Sequence, residues 1–166
     1  MKKILVIDRC QYTVHLIESA LPRDGFELLH TEDTAEAPML VLNEQPHLIA
    51  LAVEPDETAA AIELIGLVRA WEQTAGIPWV LMSRSVAQID RQYGRNLPID
   101  GYLAKPLQER MFLEVLERLA GPLPRRSFAD PSAVPPRPAR SAAPNGEVRA
   151  PTEVRGRIFS STPVVR

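Results

Sequence analysis

The stretch that decides the fold is LIALAV, residues 48–53, an unbroken run of apolar residues. A strand that is apolar at every position must be covered on both faces, as strands in parallel sheets are. Four further runs indicate strands in the same way, at residues 4–7, 26–29, 78–82 and 102–104. The chain therefore predicts five buried strands.

Amphipathic stretches separate these runs. Their apolar residues lie three and four positions apart, as Ile62, Ile65 and Val68 do, which is typical of a helix packed on a core by one face. The fourth connection, residues 85–96, has the weakest spacing, and we expect a short or partly irregular helix there. The alternation predicts an α/β fold, the flavodoxin-like doubly wound parallel sheet with strand order 2-1-3-4-5.

Composition divides the chain near Gly121. Nine of the 16 prolines lie in residues 121–166, and the net charge changes from −7 before Gly121 to +5 after it. A segment of this composition buries too little apolar surface to offset its chain entropy. We expect a folded domain at residues 1–120 and a Pro/Arg-rich disordered tail at residues 121–166. The charge asymmetry hints that the basic tail meets something acidic.

Several classes of site are excluded by simple counts. Cys10 is the only cysteine, which excludes an intramolecular disulfide, and the three scattered histidines lack zinc-site spacing. The apolar run of residues 4–7 is shorter than the roughly 7 to 15 residues of a signal-peptide core and the roughly 20 of a membrane span. We therefore expect a cytoplasmic protein with no cofactor, no metal ion and no membrane insertion.

Four pieces of the sequence together resemble a response-regulator receiver domain. MKKILVIDR (1–9) is similar to the first strand of that family, PHLIALAVEP (46–55) to the third, IPWVLMSR (77–84) to the fourth and GYLAKP (101–106) to the fifth. The resemblance covers residues 1–120. It implies the flavodoxin-like fold and a site at which an aspartate accepts a phosphoryl group beside a magnesium ion.

The resemblance also assigns the residues of that site. Asp8 matches one of two acidic residues after the first strand, and Arg9 stands in place of the other. Ala52 stands where the phosphoaccepting aspartate would be, while Ser83 and Lys105 match the hydroxyl and the lysine that meet the phosphoryl group. A methyl group cannot attack phosphorus, and Mg²⁺ is usually held through carboxylates. We therefore expect a degenerate pocket in which Asp8 accepts a hydrogen bond from Lys105 or Arg9.

Two rival interpretations remain. Glu54 lies two residues after Ala52, on the same side of a strand by its period of two, and would make the protein a phosphorelay receiver with a non-standard acceptor. Alternatively, the eight arginines of the tail bind nucleic-acid phosphates. The tail offers only Phe128 and Phe159 for base stacking, so nucleic acid is the less favoured partner.

The leading hypothesis is a pseudo-receiver that is not an enzyme. The family typically docks partners or dimerises through its fourth helix, fifth strand and fifth helix, which here include the residues Tyr93, Tyr102, Arg110, Glu114 and Glu117. We expect a phosphorylation-independent adaptor in bacterial signal transduction that binds a protein partner or a second copy through this face, with the tail as a second contact. Some degenerate receivers of gliding bacteria have alanine in a similar Leu-Ala-Val run, which points to motility or cell polarity.

Overall fold

The computed structural model describes residues 1–123, in which five strands alternate with five helices. The strands are β1 (Lys2–Ile7), β2 (Phe26–Thr31), β3 (Leu48–Ala52), β4 (Trp79–Ser83) and β5 (Gly101–Ala104). The helices are α1 (Gln11–Ala20), α2 (Ala37–Glu44), α3 (Thr58–Arg69), α4 (Val86–Tyr93) and α5 (Glu109–Ala120). The disordered tail predicted for residues 121–166 lies, from residue 124 onward, outside the described residues.

The strands form one parallel sheet in the order β2-β1-β3-β4-β5, which confirms the predicted topology. β1 lies between β2 and β3, with Ile4 opposite Leu48 and Ile7 opposite Leu51. The strand order reverses at β1, so the loops after β1 and β3 lead to helices on opposite faces. A crevice opens between such loops at the carboxyl edge of the sheet.

The core consists of two layers, one on each face of the sheet. Ile4 and Val6 of β1 face one layer with α1 and α5, while Leu5 and Ile7 face the other with α2, α3 and α4. All four side chains are buried. This two-sided burial is the physical reason that the central strands are apolar at every position, since alternate residues of a strand point to opposite faces.

Two helices, α4 and α5, end where the sequence predicts. The fourth connection forms a helix of only eight residues, followed by one turn of 3₁₀ helix at Gly94–Asn96. α5 ends at Ala120, and Gly121 follows with a φ of +88°, a conformation that favours glycine. Lys2 Nζ donates to the Ala120 carbonyl at 2.5 Å, which holds the end of α5 beside the start of β1.

Within residues 1–123, no helix is both long and apolar enough to cross a membrane. The strand boundaries differ slightly from those expected. β1 begins at Lys2, two residues before the apolar run, and β3 ends at Ala52 rather than at Val53. The second difference matters for the site, because it changes where the chain turns away from the sheet.

Candidate functional site

A cavity of about 440 Å³ opens at the carboxyl edge of the sheet. Five of the six residues expected in the degenerate pocket line it: Asp8, Arg9, Ala52, Glu54 and Lys105. They come together because β1 and β3 are neighbours and β5 ends at the same edge.

Asp8 and Lys105 form a nearly buried ion pair in this cavity. Lys105 Nζ lies 2.6 Å from Asp8 Oδ2, and the side chains are 11% and 3% exposed. The second oxygen, Asp8 Oδ1, accepts the backbone N–H of Cys10 at 2.9 Å. Of the two partners expected for Asp8, the structure shows Lys105, while Arg9 is exposed. Hydrogen bonds to both oxygens offset part of the cost of burying the carboxylate.

The backbone of Asp8 is held from the neighbouring strand. His30 Nε2 lies 2.8 Å from the Asp8 carbonyl oxygen, and because a carbonyl only accepts, the proton of this bond lies on Nε2. The Asp8 N–H donates to the Thr31 carbonyl at 3.1 Å. These contacts continue the pairing of β1 with β2 by one residue and orient Asp8 toward Lys105.

The β3 side of the cavity is apolar. Ala52 ends β3 opposite Met82 and is half-buried, so a methyl group lies at the predicted acceptor position. Several small or aliphatic residues extend this surface toward α3: Ala35, Val53, Ala60, Ala61 and Leu64. The cavity therefore meets hydrocarbon rather than a carboxylate at residue 52.

These residues do not fit a magnesium ion. Mg²⁺ requires near-octahedral oxygen ligands at short distances. Asp8 is engaged with Lys105 through one oxygen and with Cys10 through the other, and Arg9 and Ala52 supply no oxygen from their side chains. Among residues 1–123, no group of three or more His, Cys, Asp or Glu side chains has a geometry that suits a metal ion.

Ser83 lies apart from the other expected pocket residues. Its side chain is fully buried, and its Oγ accepts the backbone N–H of Ser85 at 3.0 Å. It does not line the cavity. The hydroxyl therefore meets the backbone of the residue that precedes α4 rather than the open cavity.

Glu54 lines the cavity from a turn rather than from a strand. β3 ends at Ala52, and a 3₁₀ turn begins at Pro55, so the period of two does not extend to Glu54. The Glu54 N–H donates to Glu57 Oε2 at 3.2 Å, which ties the turn together. The residue that precedes α3 is Glu57.

Comparison with known proteins assigns the fold to a family. No family model matches the chain. The chain is 31% identical over 132 residues to the alkaline phosphatase synthesis transcriptional regulatory protein PhoP of Bacillus subtilis, covering 80% of this chain and 52% of the relative. It is 30% identical over 128 residues to the transcriptional regulatory protein GltR of Pseudomonas aeruginosa, covering 76% and 51%. The crystal structure of a response regulator from Thermotoga maritima superposes with a TM-score of 0.63 at 21% identity, covering 72% of this chain and 98% of that one.

The described part of the chain is a response-regulator receiver domain. The chain spans about half the length of the curated relatives it matches. Receiver domains of response regulators are generally signalling domains rather than enzymes, and they act through protein partners. The resemblance to response-regulator receiver domains, which the four sequence motifs indicated, is thereby confirmed.

The receiver domain has cavity residues that the motifs did not reveal. Arg84 follows β4 and Glu32 follows β2, and both line the cavity. Cys10, which the sequence places directly after the first strand, lines it as well. The rule that crevice residues follow the carboxyl ends of strands would have indicated Arg84 and Glu32. A hydrogen bond from the Thr13 side chain, joined by bonds from the backbone, lowers the pKa of the Cys10 thiol. Burial and the charge of Asp8 oppose this change.

The proposed interaction face of the receiver domain separates into two groups. Tyr93 and Tyr102 are half-buried against the layer of α2, α3 and α4. Burial raises the pKa of Tyr102, and the charge and hydrogen bond of Asp90 raise it further. In contrast, Arg110, Glu114 and Glu117 lie on the exposed side of α5, where Arg110 Nε meets Glu114 Oε1 at 2.9 Å. α4 and α5 belong to different layers, and β5, the edge strand that carries Tyr102, lies between these two helices.

Proposed function

We propose that this protein is a pseudo-receiver, a phosphorylation-independent adaptor that binds protein partners in bacterial signal transduction. The observation that carries the proposal is Ala52 at the end of β3, in a cavity whose buried carboxylate, Asp8, is already paired with Lys105. A receiver needs a carboxylate nucleophile and a divalent cation to take up a phosphoryl group. Residue 52 supplies no carboxylate, and both oxygens of Asp8 are engaged within the chain.

The ion pair also supports a single conformational state. In a receiver, a phosphoryl group shifts the domain between states by interacting differently with each of them. Lys105 is here 2.6 Å from Asp8 in the unmodified protein, so its charge is satisfied without a phosphoryl group. A domain with no such ligand has no differential interaction free energy to drive a switch, and its docking face stays in one arrangement.

Partner binding is assigned to the face formed by α4, β5 and α5. Tyr93 and Tyr102 present half-buried aromatic rings, and α5 adds exposed charges at Arg110, Glu114 and Glu117. Aromatic and arginine side chains are enriched in protein interfaces. Where the partner is a second copy of the chain, this face forms a homodimer. The setting in motility or cell polarity rests on the Leu-Ala-Val run alone.

The experiment is to treat the full chain with Mg²⁺ and either acetyl phosphate or beryllofluoride, then to record intact mass and amide chemical shifts. We expect no added phosphoryl group and no shifts at Ala52, Ser83 or Lys105. A phosphoryl adduct would overturn the proposal. If the adduct were lost in Glu54→Gln but kept in the matched variant Glu57→Gln, the protein would instead be a phosphorelay receiver with Glu54 as its acceptor.

The adaptor role has its own test. A chain carrying Arg110→Glu and Glu114→Lys keeps an opposite-charge pair on α5 but reverses its polarity. We expect this variant to lose the bound partner or, where the partner is a second copy, to sediment as a monomer, while its unfolding midpoint is unchanged. Retention of every partner and of the oligomeric state by this variant would contradict the assignment to this face.

A further inference from the structure

One continuous segment of the receiver domain holds its excess negative charge. Residues 24–68 contain ten carboxylates and no lysine or arginine. This segment, called here the acidic flank, forms β2, α2, β3 and all of α3 except its last residue. The other described residues, 1–23 and 69–123, contain eight carboxylates against eleven lysines and arginines.

Little of this charge is neutralised within the domain. Glu44 forms an ion pair with Lys3 Nζ at 2.6 Å. None of the other nine carboxylates of the acidic flank forms an ion pair with another residue of the range 1–123. Those that accept hydrogen bonds, as Glu32 does from Gln11 Nε2 at 2.6 Å, accept them from neutral donors. The acidic flank therefore presents a negative field that attracts positive charge.

Helix α3, within this flank, has a second apolar row outside the core. Its core face consists of three buried residues, Ala61, Ile65 and Val68. The second row, called here the α3 stripe, has the same spacing of three and four positions and consists of Ala60, Leu64 and Leu67. Ala60 is exposed, Leu64 is half-buried and Leu67 is 49% exposed. A single exposed leucine is ordinary, whereas a row with helical spacing is typical of a helix that packs on two sides.

The α3 stripe begins in the cavity. Ala60 and Leu64 line the cavity, and Leu67 lies about one helical turn beyond Leu64. Glu57 lines the same cavity, and the exposed Glu63 is four positions before Leu67, which makes the two residues neighbours on the helix surface. The apolar surface that leads from the crevice along α3 is thus bordered by carboxylates.

Charge and symmetry narrow the choice of occupant. Nucleic acids and anionic phospholipid surfaces are repelled by the carboxylates of the acidic flank. A two-fold symmetric dimer uses the same patch on both subunits, so a dimer through the α3 stripe would place two acidic flanks against each other. Like charges that face each other across an interface are unfavourable. A positively charged protein segment with apolar side chains matches both the charge and the apolar row.

We infer that the α3 stripe and the adjoining cavity dock a segment of a partner protein in which apolar side chains lie beside lysines or arginines. The inference rests on the proposed function in one respect, that the domain acts by binding protein partners, but it uses a different surface from the face of α4, β5 and α5. Apolar burial on the stripe contributes affinity, while the carboxylates speed association and select against acidic segments.

The test titrates the full chain with a synthetic helical peptide of about 14 residues, built of leucine and lysine so that one face is apolar and the other cationic. Amide chemical shifts locate the contact, and calorimetry measures the affinity. We expect saturable shifts at Ala60, Leu64 and Leu67, and an affinity that falls as salt is added. A peptide of the same pattern with glutamate in place of lysine should not bind.

Two pairs of matched variants separate docking on the stripe from general attraction to an acidic protein. Leu67→Lys should weaken binding about tenfold, whereas Met111→Lys, at a residue of α5 that is 48% exposed, makes the same change elsewhere and should leave binding unchanged. Glu63→Lys should also weaken binding, whereas Glu18→Lys, at an exposed position of α1, should not. Urea denaturation checks that all four variants remain folded.

Four outcomes would overturn the inference: no saturable binding, shifts centred on α4 and α5, equal binding of the glutamate peptide, or equal loss in Leu67→Lys and Met111→Lys. Shifts on the stripe that depend on protein concentration without peptide would also overturn it, because the occupant would then be a second copy. Failure of the proposed function gives different signals, a phosphoryl adduct by mass or partner binding unaffected by Arg110→Glu with Glu114→Lys. The two proposals therefore fail separately.

Discussion

The two halves of the crevice differ in what they keep of a receiver site. The half built on β1 and β5 has Asp8 and Lys105 joined at 2.6 Å and nearly buried. The half built on β3 has a methyl group at Ala52 and an apolar surface that continues to α3. Under the proposed function, a carboxylate and a lysine in the expected positions are not sufficient for phosphotransfer. Because Asp8 and Lys105 are buried in contact, each stabilises the charge of the other whether or not the pair serves a reaction.

The largest expected effect comes from rebuilding the β3 half. Arg9→Asp together with Ala52→Asp supplies a nucleophile and a second carboxylate for Mg²⁺. We expect this variant to gain one phosphoryl group from acetyl phosphate in the presence of Mg²⁺, measured by intact mass. The control, Arg9→Asn with Ala52→Asn, has nearly the same shape and no added carboxylate. An adduct on the control would show that the acceptor lies elsewhere.

The next largest effect comes from breaking the ion pair in the half built on β1 and β5. Asp8→Asn leaves Lys105 nearly buried without its counter-charge, and we expect the free energy of unfolding to fall by about 3 kcal/mol. Urea denaturation measures the change, and the double variant with Lys105→Met should recover part of it. Asp24→Asn, at an exposed position, is the control and should change stability little. If Asp8→Asn lowered the free energy of unfolding no more than Asp24→Asn does, the ion pair would have no structural role.

A smaller effect concerns Cys10, whose backbone belongs to the same half. The Thr13 hydrogen bond stabilises the thiolate and lowers the pKa, so we expect alkylation by iodoacetamide to rise at lower pH than for an unfolded thiol. The associated stabilisation is present above the unfolded pKa and is lost as the pH falls through the folded pKa. Thr13→Val should move the alkylation profile to higher pH, while Thr34→Val should not. An unchanged profile in Thr13→Val contradicts the assigned cause.

The smallest effect lies outside the crevice, at Tyr102. Burial and Asp90 both disfavour the phenolate, so its pKa is raised. Asp90→Asn should move the ultraviolet titration of Tyr102 toward lower pH but leave it above an ordinary tyrosine, since burial is the larger cause. Glu114→Gln on α5 is the control. If Asp90→Asn also changed the amide shifts of the crevice residues, Tyr102 and the crevice would be coupled, and the comparison of the two halves would have to include β5 beyond the crevice.

Much of the fold was predictable because it depends on local pattern. The apolar runs indicated five strands, of which β1, β3 and β4 are largely buried while β2 and β5 at the sheet edges are not. The poor spacing of residues 85–96 indicated the short α4. Position in the crevice was less predictable. Ser83 matched a motif, yet its hydroxyl meets the backbone of the residue that precedes α4, and Glu54 matched a strand period that ends two residues earlier. A motif gives the position of a residue along a strand, whereas neighbouring elements decide what its side chain meets.

By itself, the sequence determined the strand order, the two-layer core and the absence of a carboxylate at residue 52, because these follow from residue type and period. Only the tertiary structure decided that Lys105 rather than Arg9 pairs with Asp8, and that the space beside Ala52 continues to Ala60, Ala61 and Leu64 of α3. Both depend on distances between residues far apart in the chain. Such distances are set by how the helices pack over the ends of the strands, which no local pattern encodes.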